Sequence, residues 1–135
     1  MLWQAFLIFI KLVLSFLKNR RFLADTKYGN REQLESEIKE LKKHNRPLIN
    51  TEWMNRPNGS TIANNLEVFY NEKVGCMLWG LVNGKTQTDL PWGHRPGDPE
   101  PKVWQHDLFH GDFTPYDKEE IATLKKYTGN ANAIR

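Results

Sequence analysis

Two short apolar stretches end in residues equipped for chemistry. Pro47-Leu48-Ile49-Asn50-Thr51-Glu52-Trp53 turns polar at its C-terminal end, and the nearly continuous apolar run from Val74 to Gly80 closes on Trp79-Gly80. In parallel α/β architectures the active residues lie at the carboxyl ends of strands and in the loops that follow. A carboxylate at such an end can attack an anomeric carbon. An indole on the next strand can stack on the apolar face of a pyranose, whose axial C–H groups complement the negative π face. Each residue also has a plainer reading: Glu52 as a structural carboxylate paired with Arg56 or a backbone N–H, and Trp79 as a core anchor. It is the pair, at matching positions on consecutive strands, that points to sugar chemistry.

The elements that must position this pair are legible from local signals. Asn30 can cap a helix with Gln33 as the second member of a capping box. Leu34, Ile38 and Leu41 then recur at helical spacing, with Glu35 and Lys39 one turn apart on another face. Asn45 and Pro47 end that helix, and the first strand follows. After the loop Arg56-Pro57-Asn58-Gly59-Ser60, a second helix carries Ile62, Leu66, Phe69 and Tyr70 on one face. Val74 to Gly80 reads as a parallel strand buried on both faces. Thr88 to Pro101 holds Pro91, Gly93, Pro96, Gly97, Pro99 and Pro101 and is predicted to be a long loop, of a length that is usually functional or disordered. Asp117 with Glu120 marks another capping box, opening a helix through Ile121 and Leu124 that Gly129 closes. Alternating helices and strands imply parallel βαβ units.

Composition sets bounds on the rest. The chain has 135 residues, of which 39% are hydrophobic and 26% charged, so one ordered domain is expected. Five Trp, mostly beside Gly, Pro, Asn or Asp, hint at a surface for ring-shaped ligands. The net charge of +3 does not argue for nucleic acid, because Lys42-Lys43 and Lys125-Lys126 sit at helix ends, where cations complement the helix dipole. Cys76, the single cysteine, excludes an internal disulfide and reads as a buried small hydrophobe. His106 and His110 lie four apart with His94 upstream. On a helix that spacing suits zinc, but no third ligand is identified, and neither metal nor cofactor is expected.

Residues 1–24 are a different kind of sequence. Leu2 to Leu17 are apolar except for Gln4, Lys11 and Ser15, and Lys18, Arg20 and Arg21 follow. The order of charge and apolar run is wrong for a secretory signal, and no small-residue cleavage site appears. The stretch is short for a transmembrane helix, although Lys11 can snorkel and the basic cluster favours a cytoplasmic flank. A membrane anchor through residues 2–17, an uncleaved signal and a segment foreign to the domain behind it all stay open.

Three stretches together resemble a known family. Arg46 to Trp53, RPLINTEW, is similar to the seventh strand of family-five-like glycoside hydrolases, the clan with two glutamates at the ends of strands four and seven. Val74 to Thr88, VGCMLWGLVNGKTQT, resembles the eighth strand and following loop of a bacterial, cellulase-type branch. Glu100 to Glu120, EPKVWQHDLFHGDFTPYDKEE, resembles the tail leading into the last helix. The resemblance runs from about Tyr28 to Gly129. It implies an α/β fold that is part of a (β/α)₈ TIM barrel, namely strands six, seven and eight with their helices, within residues 25–135.

It also implies a retaining O-glycosyl hydrolase acting on a β-linked polysaccharide. Glu52 would be the nucleophile and Trp79 the floor of the reacting subsite. Trp53 would shape that subsite, Asn83, Lys85 and Gln87 would hydrogen-bond substrate hydroxyls, and Trp92 would offer another stacking surface. The family is usually secreted or held at the cell envelope.

The sequence also departs from the family. The acid/base Glu follows an Asn at the end of strand four, and no such strand is present. A complete barrel typically needs about 250 residues. The expectation is therefore a truncated copy with little activity alone, whose exposed strand edges favour self-association. Two rival expectations are a non-catalytic carbohydrate-binding remnant using Trp79 and Trp92, and a small membrane-associated protein.

Overall fold

The computed structural model describes residues 23–26 and 28–128. Three strands, β1 (Leu23–Thr26), β2 (Leu48–Trp53) and β3 (Gly75–Leu78), pair in parallel in that order. Helix α1 (Arg31–Lys42) connects β1 to β2, and helix α2 (Ile62–Asn71) connects β2 to β3. A long irregular segment follows β3, and helix α3 (Lys118–Tyr127) ends the described chain. The boundary drawn at residue 24 falls inside β1, so the sheet begins earlier than the change in composition suggests.

Local chemistry accounts for the helix starts. Asn30 is extended, its side chain accepts from Gln33 N–H, and Gln33 Oε1 accepts from Asn30 N–H, both at 3.0 Å. The helix leaves through Asn45, a residue type that tolerates its left-handed φ of 50°. Thr61 caps α2 through Asn64 N–H. Asp117 caps α3 by accepting from Glu119 and Glu120 N–H. Its expected box does not close, because the Glu120 carboxylate is bound by Arg56.

Leu34 and Ile38 from α1, Leu66 and Phe69 from α2, and Leu48 and Trp53 from β2 form one core on a single face of the sheet. Helix α3 extends this layer through α2, with Tyr70 and Tyr127 at 5.2 Å between ring centroids. Tyr70 is exposed rather than core, because it turns toward α3. Strand β3 departs from its apolar pattern: Cys76 and Leu78 pack on the core, while Gly75 and Met77 are exposed. Among the described residues no second layer covers that face. The Cys76 thiol, pushed up to about 11 by burial, behaves as the expected small hydrophobe.

Among the described residues no helix is long and apolar enough to cross a membrane, and the anchor expected at 2–17 lies outside them.

Candidate active site

A β-bulge sets the direction of Glu52. On one side Asp25 pairs with Asn50 and Thr26 with Glu52; on the other, Asn50 pairs with Cys76 and Trp53 with Leu78. Between Asn50 and Trp53, β2 therefore carries one residue more than either neighbour. Leu48, Asn50 and Trp53 are buried, whereas Ile49, Thr51 and Glu52 are only partly so. Strict alternation from Leu48 and Asn50 would turn Glu52 into the core; the extra residue turns it out to the open face. Asn50 Oδ1 accepts from the Glu52 N–H at 3.1 Å, satisfying a donor beside the irregularity.

The same bulge corrects the expectation for Trp53. Its side chain is 0% exposed and packs edge-on against Phe69 at 5.0 Å, so it belongs to the core and shapes no sugar subsite. Trp79 directly follows β3 and is 40% exposed, as Gly75 and Met77 are exposed within the strand. The carboxylate and the indole thus stand at the carboxyl ends of adjacent parallel strands.

The partner of Glu52 is Tyr28, whose hydroxyl donates to Oε1. Burial, then the hydrogen bond and negative charge of Glu52, push the phenol well above its ordinary range, so it stays a donor. Arg56 is not available to Glu52. It forms a bidentate pair with Glu120 (Nε–Oε1 2.9 Å, Nη2–Oε2 2.6 Å) and donates to the carbonyls of Trp104 and Asp107. Its guanidinium lies 4.5 Å from the centre of the Tyr116 ring.

The long loop returns to this site. Trp92, 66% exposed, meets the Tyr28 ring edge-on at 5.2 Å, and His106 lies 5.5 Å from the same ring. His106 is buried, with Nδ1 2.5 Å from the Met54 carbonyl. Burial holds its imidazole below the ordinary range, against the opposing pull of Met54, Glu52 and Asp107. Asp107 is fully buried with both oxygens accepting from Thr88 Oγ1 at 2.8 and 2.9 Å. A Cβ on Gly80, whose φ is +86°, would lie 2.6 Å from Asp107 Oδ1 and 2.8 Å from His106 Cβ, so only glycine fits there.

Asn83 is half-buried and its N–H donates to Phe109 O, while Lys85 and Gln87 stand exposed on the turn after β3. His110 meets Trp104 edge-on at 4.5 Å between ring centroids, and residues 104–110 are not helical, so the helical spacing that would pair it with His106 is not realised. Among the described residues no group of three metal-ligating side chains gathers. Sequence reasoning missed Tyr28 and Gln105 as parts of the site and weighed His106 only as a metal ligand. The position of Tyr28 at the start of the stretch that carries the resemblance was the one available signal for it. Comparison of the chain with family models, with curated proteins and with solved structures gives no match.

Proposed function

We propose that the Glu52 face is the nucleophile half of a retaining β-glycosidase site, and that residues 25–135 are the C-terminal part of a (β/α)₈ barrel. The observation that carries this reading is the bulge that turns Glu52 out of the core at the carboxyl end of β2, with Tyr28 as its hydrogen-bond donor and the exposed Trp79 just past the end of adjacent β3. In such chemistry Glu52 Oε attacks the anomeric carbon as the glycosidic bond breaks, giving a glycosyl ester that water then hydrolyses. Tyr28 orients the carboxylate, and the exposed indoles of Trp79 and Trp92 offer π faces for pyranose stacking.

Retaining hydrolysis uses two carboxyl groups about 5–5.5 Å apart. No carboxylate of this chain matches the family's acid/base position, and Asp107 is sealed against Thr88. The reading therefore favours substrates whose leaving group departs without a proton. With dinitrophenyl β-glycosides the chain should release phenolate at a rate lost in Glu52→Ala, and with alkyl β-glycosides it should be nearly silent. Equal release by Glu52→Ala would contradict the assignment. A second reading, non-catalytic sugar binding, is favoured by the exposure of Trp79 and Trp92. It predicts tryptophan fluorescence changes with oligosaccharide and no phenolate release.

A further inference from the structure

Gln105 and His106 form a relay whose proton positions are fixed by its two ends. The Trp92 backbone N–H donates to Gln105 Oε1 at 2.8 Å, which makes the other amide atom, Nε2, a donor. That nitrogen lies 3.0 Å from His106 Nε2, which must then accept. At the far end the Met54 carbonyl can only accept, so His106 Nδ1 carries the hydrogen. The imidazole is therefore neutral and in one tautomer. Gln105 and His106 are 1% and 3% exposed, and the Gln105 backbone is itself tied to Asp89 O and Arg56 N–H.

We propose that Gln105 and His106 are positioning residues that hold Trp92 beside the Tyr28–Glu52 pair while the imidazole is neutral and release it on protonation. An imidazolium would set two donors against each other at the Gln105–His106 contact. The amide can relieve this only by turning over, which then sets its NH₂ against the Trp92 N–H. The proton is thus transmitted to the loop. Three charged groups face His106: Glu52 from the end of β2 and Asp107 favour its protonation, and Arg56 opposes it. Tyr28 adds a neutral ring, the Trp92 indole lies edge-on to the imidazole at 6.2 Å, and Gly80 comes close to His106 Cβ. The role of Trp92 as a sugar platform rests on the glycosidase reading; its attachment through Gln105 does not.

The test uses the full chain labelled with 5-fluorotryptophan, its Trp92 ¹⁹F resonance assigned with Trp92→Phe, and the His106 ring followed by NMR across pH. The Trp92 resonance should move with the His106 midpoint, below about 6.5, while Trp79 should not follow it. In Gln105→Glu a carboxylate accepts from both Trp92 N–H and the imidazolium. That variant should keep Trp92 in place and raise the His106 midpoint by about one pH unit or more. A Trp92 resonance that stays flat through the wild-type His106 titration overturns the proposal, and so does an unraised midpoint in folded Gln105→Glu. Cellotetraose affinity should weaken at the same midpoint. If cellotetraose fails to bind at any pH while Trp92 still tracks His106, the sugar reading fails and the relay stands.

Discussion

The hydroxyl of Tyr28 donates to the carboxylate of Glu52, two residues beyond the point where Thr26 of β1 pairs with Glu52 itself. Register and hydrogen bond therefore reinforce each other: the strand pairing that fixes the Glu52 backbone also delivers the donor that fixes its side chain. The alternative partner, Arg56, is committed to Glu120, so the donor that meets the Glu52 carboxylate is the neutral Tyr28 hydroxyl.

Tyr28 should keep its proton past the ordinary phenol range. Burial and Glu52 hold its proton, so on alkaline ultraviolet titration the component that Tyr28→Phe removes should ionise well above the ordinary phenol range near pH 10. A phenol with a raised folded-state value contributes stability that is full below about pH 10 and lost as pH climbs past it. Tyr28→Phe should remove that step and lower stability by about 1.5–3 kcal/mol, the usual range for a hydrogen bond to a charged group, measured by urea unfolding.

Arg56 should be the most costly polar residue to remove. Its side chain and that of Glu120 are 6% and 12% exposed, and it joins the end of β2 to the last helix. Arg56→Met leaves Glu120 buried without its partner and should cost about 3–5 kcal/mol in urea unfolding. Arg31→Ala, which breaks the half-exposed pairs with Glu35 and Glu67, should leave the urea midpoint nearly unchanged.

Gly80 should tolerate no side chain. Gly80→Ala meets the His106–Asp107 segment and carries a strained φ, so it should lose stability and move the His106 ring resonances. Gly84→Ala has open space around its Cβ and should behave as wild type in both measurements.

Stability should fall on mild acidification. The folded-state His106 is held below the ordinary imidazole range by burial, so the unfolded chain takes up the proton first. Its contribution is full above about pH 6.5 and is lost as pH falls through the folded value. Asp107 runs the other way: burial raises its carboxyl despite the Thr88 hydroxyl, so its contribution is present at low pH and lost as pH rises through its folded value. His106→Asn should remove the slope near neutrality and leave the Asp107 slope in place, as read from urea midpoints across pH.

What was legible in the sequence was what short-range chemistry decides. The Asn30–Gln33 box, the helical spacing of Leu34 and Ile38, and the polar end of Leu48–Trp53 all act within one or two turns of chain. The direction of Glu52 was not legible, because an alternating pattern hides a bulge until both neighbouring strands supply their register. Trp53 was misplaced for the same reason. The Glu120 side chain also escaped: its spacing from Asp117 marks a capping box, but a guanidinium 64 residues earlier in the chain binds it more strongly. The bare face of β3 was hidden because an apolar run looks the same whether or not a second layer covers it.

The central claim is that Glu52 is a glycosyl-accepting nucleophile, and trapping tests it most directly. The full chain is incubated with dinitrophenyl 2-deoxy-2-fluoro-β-glycosides of glucose, cellobiose, mannose and xylobiose, whose leaving group needs no protonation, and digested for mass spectrometry. The account predicts a burst of dinitrophenolate with at least one sugar and a matching glycosyl adduct on the peptide containing Glu52, absent in Glu52→Gln. An adduct on another residue, or none with any of the four sugars on the folded chain, would contradict it.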